Sequence, residues 1–170
     1  MSTSCRVRAA VPGDIEVMIE MQKALAMETE GLQLDEAAVR RGITAPFERE
    51  NIARFYVAEE VPDSSDGAGG AAGSRPPKIV GAMTVTYEWS DWRGCHILWI
   101  QSVYIIPSWR RRGVFRKFFD HVHRLVMEDP AFAGMRLCVA RNNENAINTY
   151  KRMGMTVENY HMMKLMKGKY

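Results

Sequence analysis

Apolar residues recur at every fourth position from Val114 through Phe118 and Val122 to Val126, with Phe115, Phe119 and Leu125 beside them and charged residues between. That spacing predicts an amphipathic helix over residues 112–128. The run CHILWIQSVYII before it is almost continuously apolar and reads as a buried strand, and MRLCVA after it reads as another. Two strands joined by a crossover helix should lie parallel in one sheet.

Earlier in the chain, CRVRAA reads as a first strand, and the turn residues VPGD lead into a helix over about 15–27 with Ile15, Met18, Ile19 and Leu25 on one face. A second helix is predicted over about 35–46, with Asp35 as N-cap and Ala38, Val39 and Ile43 facing inward. METEGLQLD between them reads as an acidic loop. ARFYVAEE and KIVGAMTVTYEW are strand candidates, separated by a Gly/Ala/Ser/Pro-rich segment, 61–78, whose composition predicts a flexible hairpin loop.

A last helix begins near Asn142 or Asn143 and stops at Gly154, and TVENYHMMKLMK then closes the chain as a strand or hairpin. The order is β-α-α-β-β-β-α-β-α-β, with a further strand if the ending is a hairpin. It predicts an α/β (α+β) fold, a mixed central sheet of six to seven strands flanked by about four helices.

Composition sets the class without changing that picture. A chain of 170 residues, 46% hydrophobic and 25% charged, suits a single domain over 1–170. The net charge of +3 is too small for a dedicated nucleic-acid protein, although it leaves room for one basic face. Cys5, Cys95 and Cys138 are an odd count with no metal-ligand spacing, which suits a reducing compartment and argues against a disulfide framework or a metal site. No membrane-length apolar run or secretory leader is present, so a soluble cytoplasmic protein is expected, with no membrane partner.

Candidate chemistry begins at SWRRRGVF, between the long strand and the periodic helix. A helix that starts out of a tight glycine loop presents its first N–H groups together, with the positive end of its dipole behind them. Arg110, Arg111 and Arg112 can add charge-assisted bonds, and Gly113 lets a ligand approach the backbone. A phosphate cradle is one reading; a solvated helix start is another, although basic residues there oppose the dipole. A nucleic-acid patch is the third, weakened by the lack of exposed aromatics other than Trp109.

Arg110 to Phe115, following SVYIIPSW, resembles the R/Q-x-x-G-x-G/A signature of the GNAT superfamily of N-acetyltransferases, with Phe115 at the last position where the signature has Gly or Ala. VARNNENAINTYKRMGM resembles the second half of the same cofactor site. The resemblance covers nearly the whole chain in element order and implies acetyl-CoA as cofactor. It implies that Val103, Tyr104 and Ile105 hold the acetyl carbonyl and pantetheine through strand backbone. Arg110, Arg111, Arg112, Gly113, Val114, Phe115 and Arg116 take the diphosphate. Asn143 and Ala146 lie along the pantetheine arm, and Tyr150 hydrogen-bonds the sulfur as candidate general acid. A core tyrosine on the helix's buried face is the other reading of Tyr150.

Element order and the segments KALAMETE, FYVAEEVP, TYEWSDWRG and INTYKRMG further resemble the spermidine/spermine (diamine) branch. In that branch a glutamate on the strand before the arginine-glycine loop meets the substrate amine. Gln101 holds the matching position here, and it cannot accept a proton or neutralise a cation. It can orient a water or a substrate amide, or simply face solvent. Glu28 and Glu30, or Glu88 and Asp91 with Trp89, are the remaining candidates for meeting an amine, by charge and cation–π contact. Each acid taken alone reads first as a solvated or capping residue, and Trp89 and Trp92 read equally well as packing over a turn.

Acetyl transfer to a primary amine, whether a small amine or a peptide amine, is the function these features imply, by direct attack in a ternary complex. A non-catalytic acyl-CoA-binding or sensor protein of the same fold is the alternative. A homodimer is left open as the assembly.

Overall fold

The computed structural model describes residues 4–61 and 77–167. The glycine-rich segment read as a flexible loop therefore lies, over residues 62–76, outside the described residues. The described residues form two compact units that divide between Arg136 and Leu137.

In the first unit, β1 (Ser4–Ala9) precedes α1 (Ile15–Glu30) and α2 (Glu36–Glu48), followed by β2 (Ala53–Val61), β3 (Ile79–Ser90) and β4 (Cys95–Ile105). Then come α3 (Val114–Glu128) and β5 (Phe132–Leu137), whose last residue begins the second unit. The second unit contains α4 (Glu144–Arg152). Strands lie in the order β1-β2-β3-β4-β5, and the first three pairings are antiparallel. β5 runs parallel to β4. Ala131 accepts from His96 N at 2.8 Å and Arg136 lies over Trp99, so residue numbers rise together along the two strands. The sheet is mixed, as the crossover helix requires.

Among the described residues the sheet has five strands, where the sequence reading had six to seven. TVENYHMMKLMK forms no strand. Its apolar residues do not alternate cleanly, and Tyr160, Met163 and Leu165 are at least 86% exposed, so no face of it is buried to select a register. The predicted acidic loop is also shorter than read. Met27 to Glu30 complete α1, and the helix stops at Gly31, which takes the left-handed conformation (φ 64°) and donates to Met27 O while Leu32 N donates to Ala26 O. Asp35 caps α2 as expected, accepting from Ala38 N at 2.7 Å.

The two faces of the sheet bury different elements. On one, Phe55 and Val57 pack with Met18 and Ile19 of α1 and Ile43 of α2. On the other, α3 lays down Val114, Phe118 and Val122, all at most 2% exposed, which is the four-residue repeat seen in the sequence. Burying three such side chains stabilises the unit by about 5 kcal/mol or more.

A charged group lies inside this apolar frame. Glu59 on β2 is 2% exposed and is bound by Arg6 and Arg8 of β1, and Arg8 also pairs with Asp14 at 2.7 Å. Burial alone would raise the Glu59 carboxyl, but hydrogen bonds from Arg8 and Arg6 outweigh it and hold it below the usual range. A depressed carboxyl contributes stability that is present above its unfolded pKa and lost as pH falls through the folded one. The Tm of the wild type should therefore fall more steeply between about pH 5 and pH 3 than that of Glu59→Gln. Parallel curves from calorimetry would remove Glu59 from the acid transition.

Candidate functional site

β4 does not run directly into α3. Ile106 N donates to Val80 O at 3.0 Å, extending the ladder by one bond, and a single 3-10 turn, Pro107–Trp109, follows. Trp109, 5% exposed, pins that turn in the core, which is why a tryptophan stands in an otherwise polar loop. Arg111 is the one non-glycine residue with positive φ (61°) among the described residues, and Gly113 follows with φ 77°. Left-handed residues on both sides of Arg112 alternate the backbone's hand, the arrangement that turns successive N–H groups toward a common point and makes an anion-binding concavity.

The first helical bond of α3 runs from Lys117 N to Gly113 O, so the opening N–H groups of the helix stand ahead of its ladder. A Cβ built on Gly113 would meet nothing within 4 Å, so this side of the loop is open to a ligand. The arginines divide their work. Arg112 lies over the Trp109 ring at 5.4 Å and Arg111 is exposed, whereas Arg110 turns back toward the fold.

Arg110 Nε donates to Ile105 O at 2.9 Å, its Nη2 to Glu28 Oε2 at 2.6 Å, and its guanidinium lies 5.5 Å from the centre of the Tyr104 ring. Tyr104 OH donates to the other carboxylate oxygen of Glu28 at 2.9 Å. The Arg110 and Tyr104 hydrogen bonds hold the Glu28 carboxyl below its ordinary range, while burial, then Glu28, pushes the Tyr104 phenol up. An acid in the last turn of a helix opposes the dipole and needs a cationic partner, which Arg110 supplies. Glu30, the last residue of α1, is exposed and stands about 200° around the helix axis from Glu28.

Upstream on β4, the register changes. Thr84 faces Ser102 but Val85 faces Ile100, so Gln101 is an extra residue in a β-bulge. Its Nε2 donates to Thr86 Oγ1 at 3.0 Å, which puts the side chain on the face of β3 that carries Thr84 and Thr86. Tyr104 shares that face through its pairing with Ala82, and α1 covers it from Glu28 inward. Counting residue for residue from the Ala131–His96 contact, the six residues of β5 run out before Val103.

At the far end of β3, Glu88 pairs with Arg136 at 3.2 Å, and Trp89 meets His96 edge-on at 5.1 Å. Asp91 accepts from the N–H of its neighbour Trp92 within the turn, and Trp92 is 91% exposed.

In the second unit, Asn143 caps α4 by accepting from Ala146 N at 3.1 Å. Tyr150 is half-buried, and burial pushes its phenol up. Gly154 (φ 91°) and Met155 close the helix with bonds to Lys151 O and Tyr150 O, the left-handed stop expected at that glycine.

The structure thus brings Val103, Tyr104, Ile105, Glu28 and Gln101 together with the loop 110–116, and groups Asn143, Ala146 and Tyr150 on α4. Glu88 ends the same face of β3 two residues beyond Thr86, and Trp89 and Asp91 lie apart from it, at the β3–β4 hairpin. Trp109, read from the sequence as the loop's one exposed aromatic, is instead buried, and sequence reading missed Thr86 and Arg136. A lone tryptophan in a polar loop is itself a signal of burial; Thr84 and Thr86, alternating with apolar residues in AMTVTYEW, are a weaker signal for Thr86.

The donor set of loop 110–116 fits a diphosphate: backbone of alternating hand, an open glycine and arginine side chains at a helix start. Among the described residues no three His, Cys, Asp or Glu side chains group as a metal site, and no helix is long and apolar enough to cross a membrane.

A comparison with curated protein sequences finds no match. Solved structures do match. A possible acetyltransferase from Clostridium difficile 630 is 31% identical, with 97% of this chain and 99% of that one covered at a TM-score of 0.80. The aminoglycoside N-acetyltransferase AAC(6')-Iy in complex with CoA is 13% identical, with coverage of 99% and 98% and a TM-score of 0.70. The aminoglycoside acetyltransferase meta-AAC0020, from an uncultured soil metagenomic sample and in complex with sisomicin, is 14% identical, with 97% of each chain covered at 0.67.

The family model for the acetyltransferase (GNAT) family matches residues 33–155, from just before α2 to just past α4. With that match spanning most of the chain, the protein belongs to the GNAT family and is an acetyl-CoA-dependent acyltransferase.

Proposed function

We propose that the chain transfers acetyl from acetyl-CoA to a primary amine, by direct attack while both are bound, with the acceptor on the α1-facing side of β3 and β4. The observation that carries this reading is that one strand serves both needs. β4 ends in the anion-fitting loop, and its bulge turns Gln101 onto a polar face nine residues before Arg110. Two structural neighbours named for aminoglycoside acetylation support an amine acceptor, and the resemblance to the diamine branch points to the same face. The free thiols of Cys5, Cys95 and Cys138 suit a cytoplasmic setting.

Acetyl-CoA, when bound, supplies the acetyl group as a thioester activated toward attack. Arg111 to Arg116 would hold the diphosphate, Val103 to Ile105 the acetyl and pantetheine end, and Asn143 and Ala146 the pantetheine arm. An amine attacks only when neutral, so the acceptor must lose a proton of pKa near 10 to water or a base. Tyr150, its phenol raised by burial, keeps its proton at neutral pH and can give it to a departing thiolate. With a thiol pKa of about 8.5 the driving force is slight or adverse, so position rather than acidity does the work.

Tyr150→Phe should therefore lower kcat about tenfold and change the KM for acetyl-CoA less than about twofold; an unchanged kcat would remove Tyr150 from the proton transfer. The reading as a whole is tested by following CoA release across a panel of primary amines. Thermal stabilisation by CoA with no release for any amine would identify a non-catalytic acyl-CoA-binding protein instead.

A further inference from the structure

We propose that the acceptor is recognised on an electrically neutral floor centred on Gln101, and is a single amine set among hydroxyl or amide groups rather than a polyamine. This rests on the reading that the acceptor lies on the α1-facing side of β3 and β4. That face carries Thr84 and Ser102 as a cross-strand pair, with Thr86 bonded to the bulged Gln101. All four side chains are half-buried or exposed, and none is charged. Because the Gln101 amide donates to Thr86, its carbonyl oxygen is left to accept from an N–H of the acceptor.

Of the four candidate acids, the two that flank this floor, Glu28 and Glu88, are each matched by an arginine, while Glu30 stands about 200° around α1 from Glu28 and Asp91 lies in the turn beyond Glu88. Glu28 is held by Arg110 and Tyr104. Glu88 is held by Arg136, whose guanidinium also lies 5.6 Å from the centre of the Trp99 ring. A remote ammonium of a polyamine lying along this floor would thus give up hydration without meeting an uncompensated carboxylate among the described residues of the floor.

The same neutrality favours the reaction of a monoamine. A floor without negative charge does not stabilise the ammonium form, so the attacking nitrogen reaches its neutral state more readily than it would beside a carboxylate. Hydroxyl and amide groups around that nitrogen can bond to Thr84, Thr86, Ser102 and Gln101 with no charge to desolvate.

The test compares kcat/KM for glucosamine, serinamide and spermidine at low and high salt, in the wild type and in Gln101→Glu. Glucosamine or serinamide should exceed spermidine at least about tenfold in the wild type, with little salt dependence. Gln101→Glu, at an exposed position, should raise kcat/KM for spermidine about tenfold by supplying the missing charge, and make it fall with salt. A wild type that prefers spermidine, or a Gln101→Glu protein with unaltered preference, would overturn the neutral floor and leave amine acetylation standing. No CoA release from any amine would overturn amine acetylation itself, and this inference with it.

Discussion

Gly113→Asp is expected to raise the KM for acetyl-CoA about a hundredfold, the largest effect of any single change in the loop that leads into α3. Two contributions add. Gly113 sits at φ 77°, where a residue with a Cβ is strained by about 1 kcal/mol. A carboxylate facing a bound diphosphate near the surface adds repulsion on the order of 2 kcal/mol. Steric conflict with the protein adds nothing, because a Cβ there meets open space.

Gly113→Asn separates the two, since asparagine meets the same left-handed conformation as aspartate and carries no charge. It should raise KM no more than about tenfold, and only the aspartate's defect should shrink as salt is added. Equal KM values for the two variants would exclude an anion at this helix start. Differential scanning of the unliganded proteins, where both should lose about the same Tm, guards against misreading a folding defect as a binding defect.

Why some of this site could be read from the sequence and some could not follows from which forces are local. The α3 repeat was legible because Val114, Phe118 and Val122 are buried at the spacing that a helix imposes. Hydrophobic spacing alone starts the helix at 112 rather than 114, because it does not report the left-handed turns at Arg111 and Gly113. Polarity likewise ends α1 too early, because Glu28 and Glu30 look like loop residues, whereas the glycine that stops the helix is Gly31.

Two features had no local signature at all. The Glu28–Arg110 pair joins residues 82 apart, and the Gln101 bulge lies inside a nearly unbroken apolar run where no change of period marks an extra residue. Both depend on how β4 lies against α1 and β3. They also change the roles that residue type suggests. Glu28 is an acid that neutralises the protein's own arginine, and Arg110 is a cation that ties the phosphate-fitting loop to α1.

The junction that sets the loop in place can be broken from beneath. Gly81→Val should destabilise the protein by about 3 kcal/mol, lowering Tm by roughly 8 °C for a chain of this size. Gly81 pairs with Ile105 at the end of β4, and a Cβ on it would lie 2.9 Å from Tyr104 O and 3.3 Å from both Ile105 Cγ1 and Phe118 Cε2. Replacing a strand glycine would ordinarily stabilise by up to about 1 kcal/mol through the unfolded chain. Here the overlap dominates. The nearest atom is a backbone oxygen that cannot rotate away, and Phe118 is fully buried and has nowhere to go. Relief requires β4 to shift or α3 to lift, and either movement displaces the loop between them. Gly81→Ala should show a smaller loss, about 1–2 kcal/mol, and both variants should raise the KM for acetyl-CoA in the order of their stability loss. A stable Gly81→Val protein with an unaltered KM would show that the loop holds its shape without the close packing of β3 against β4 and α3.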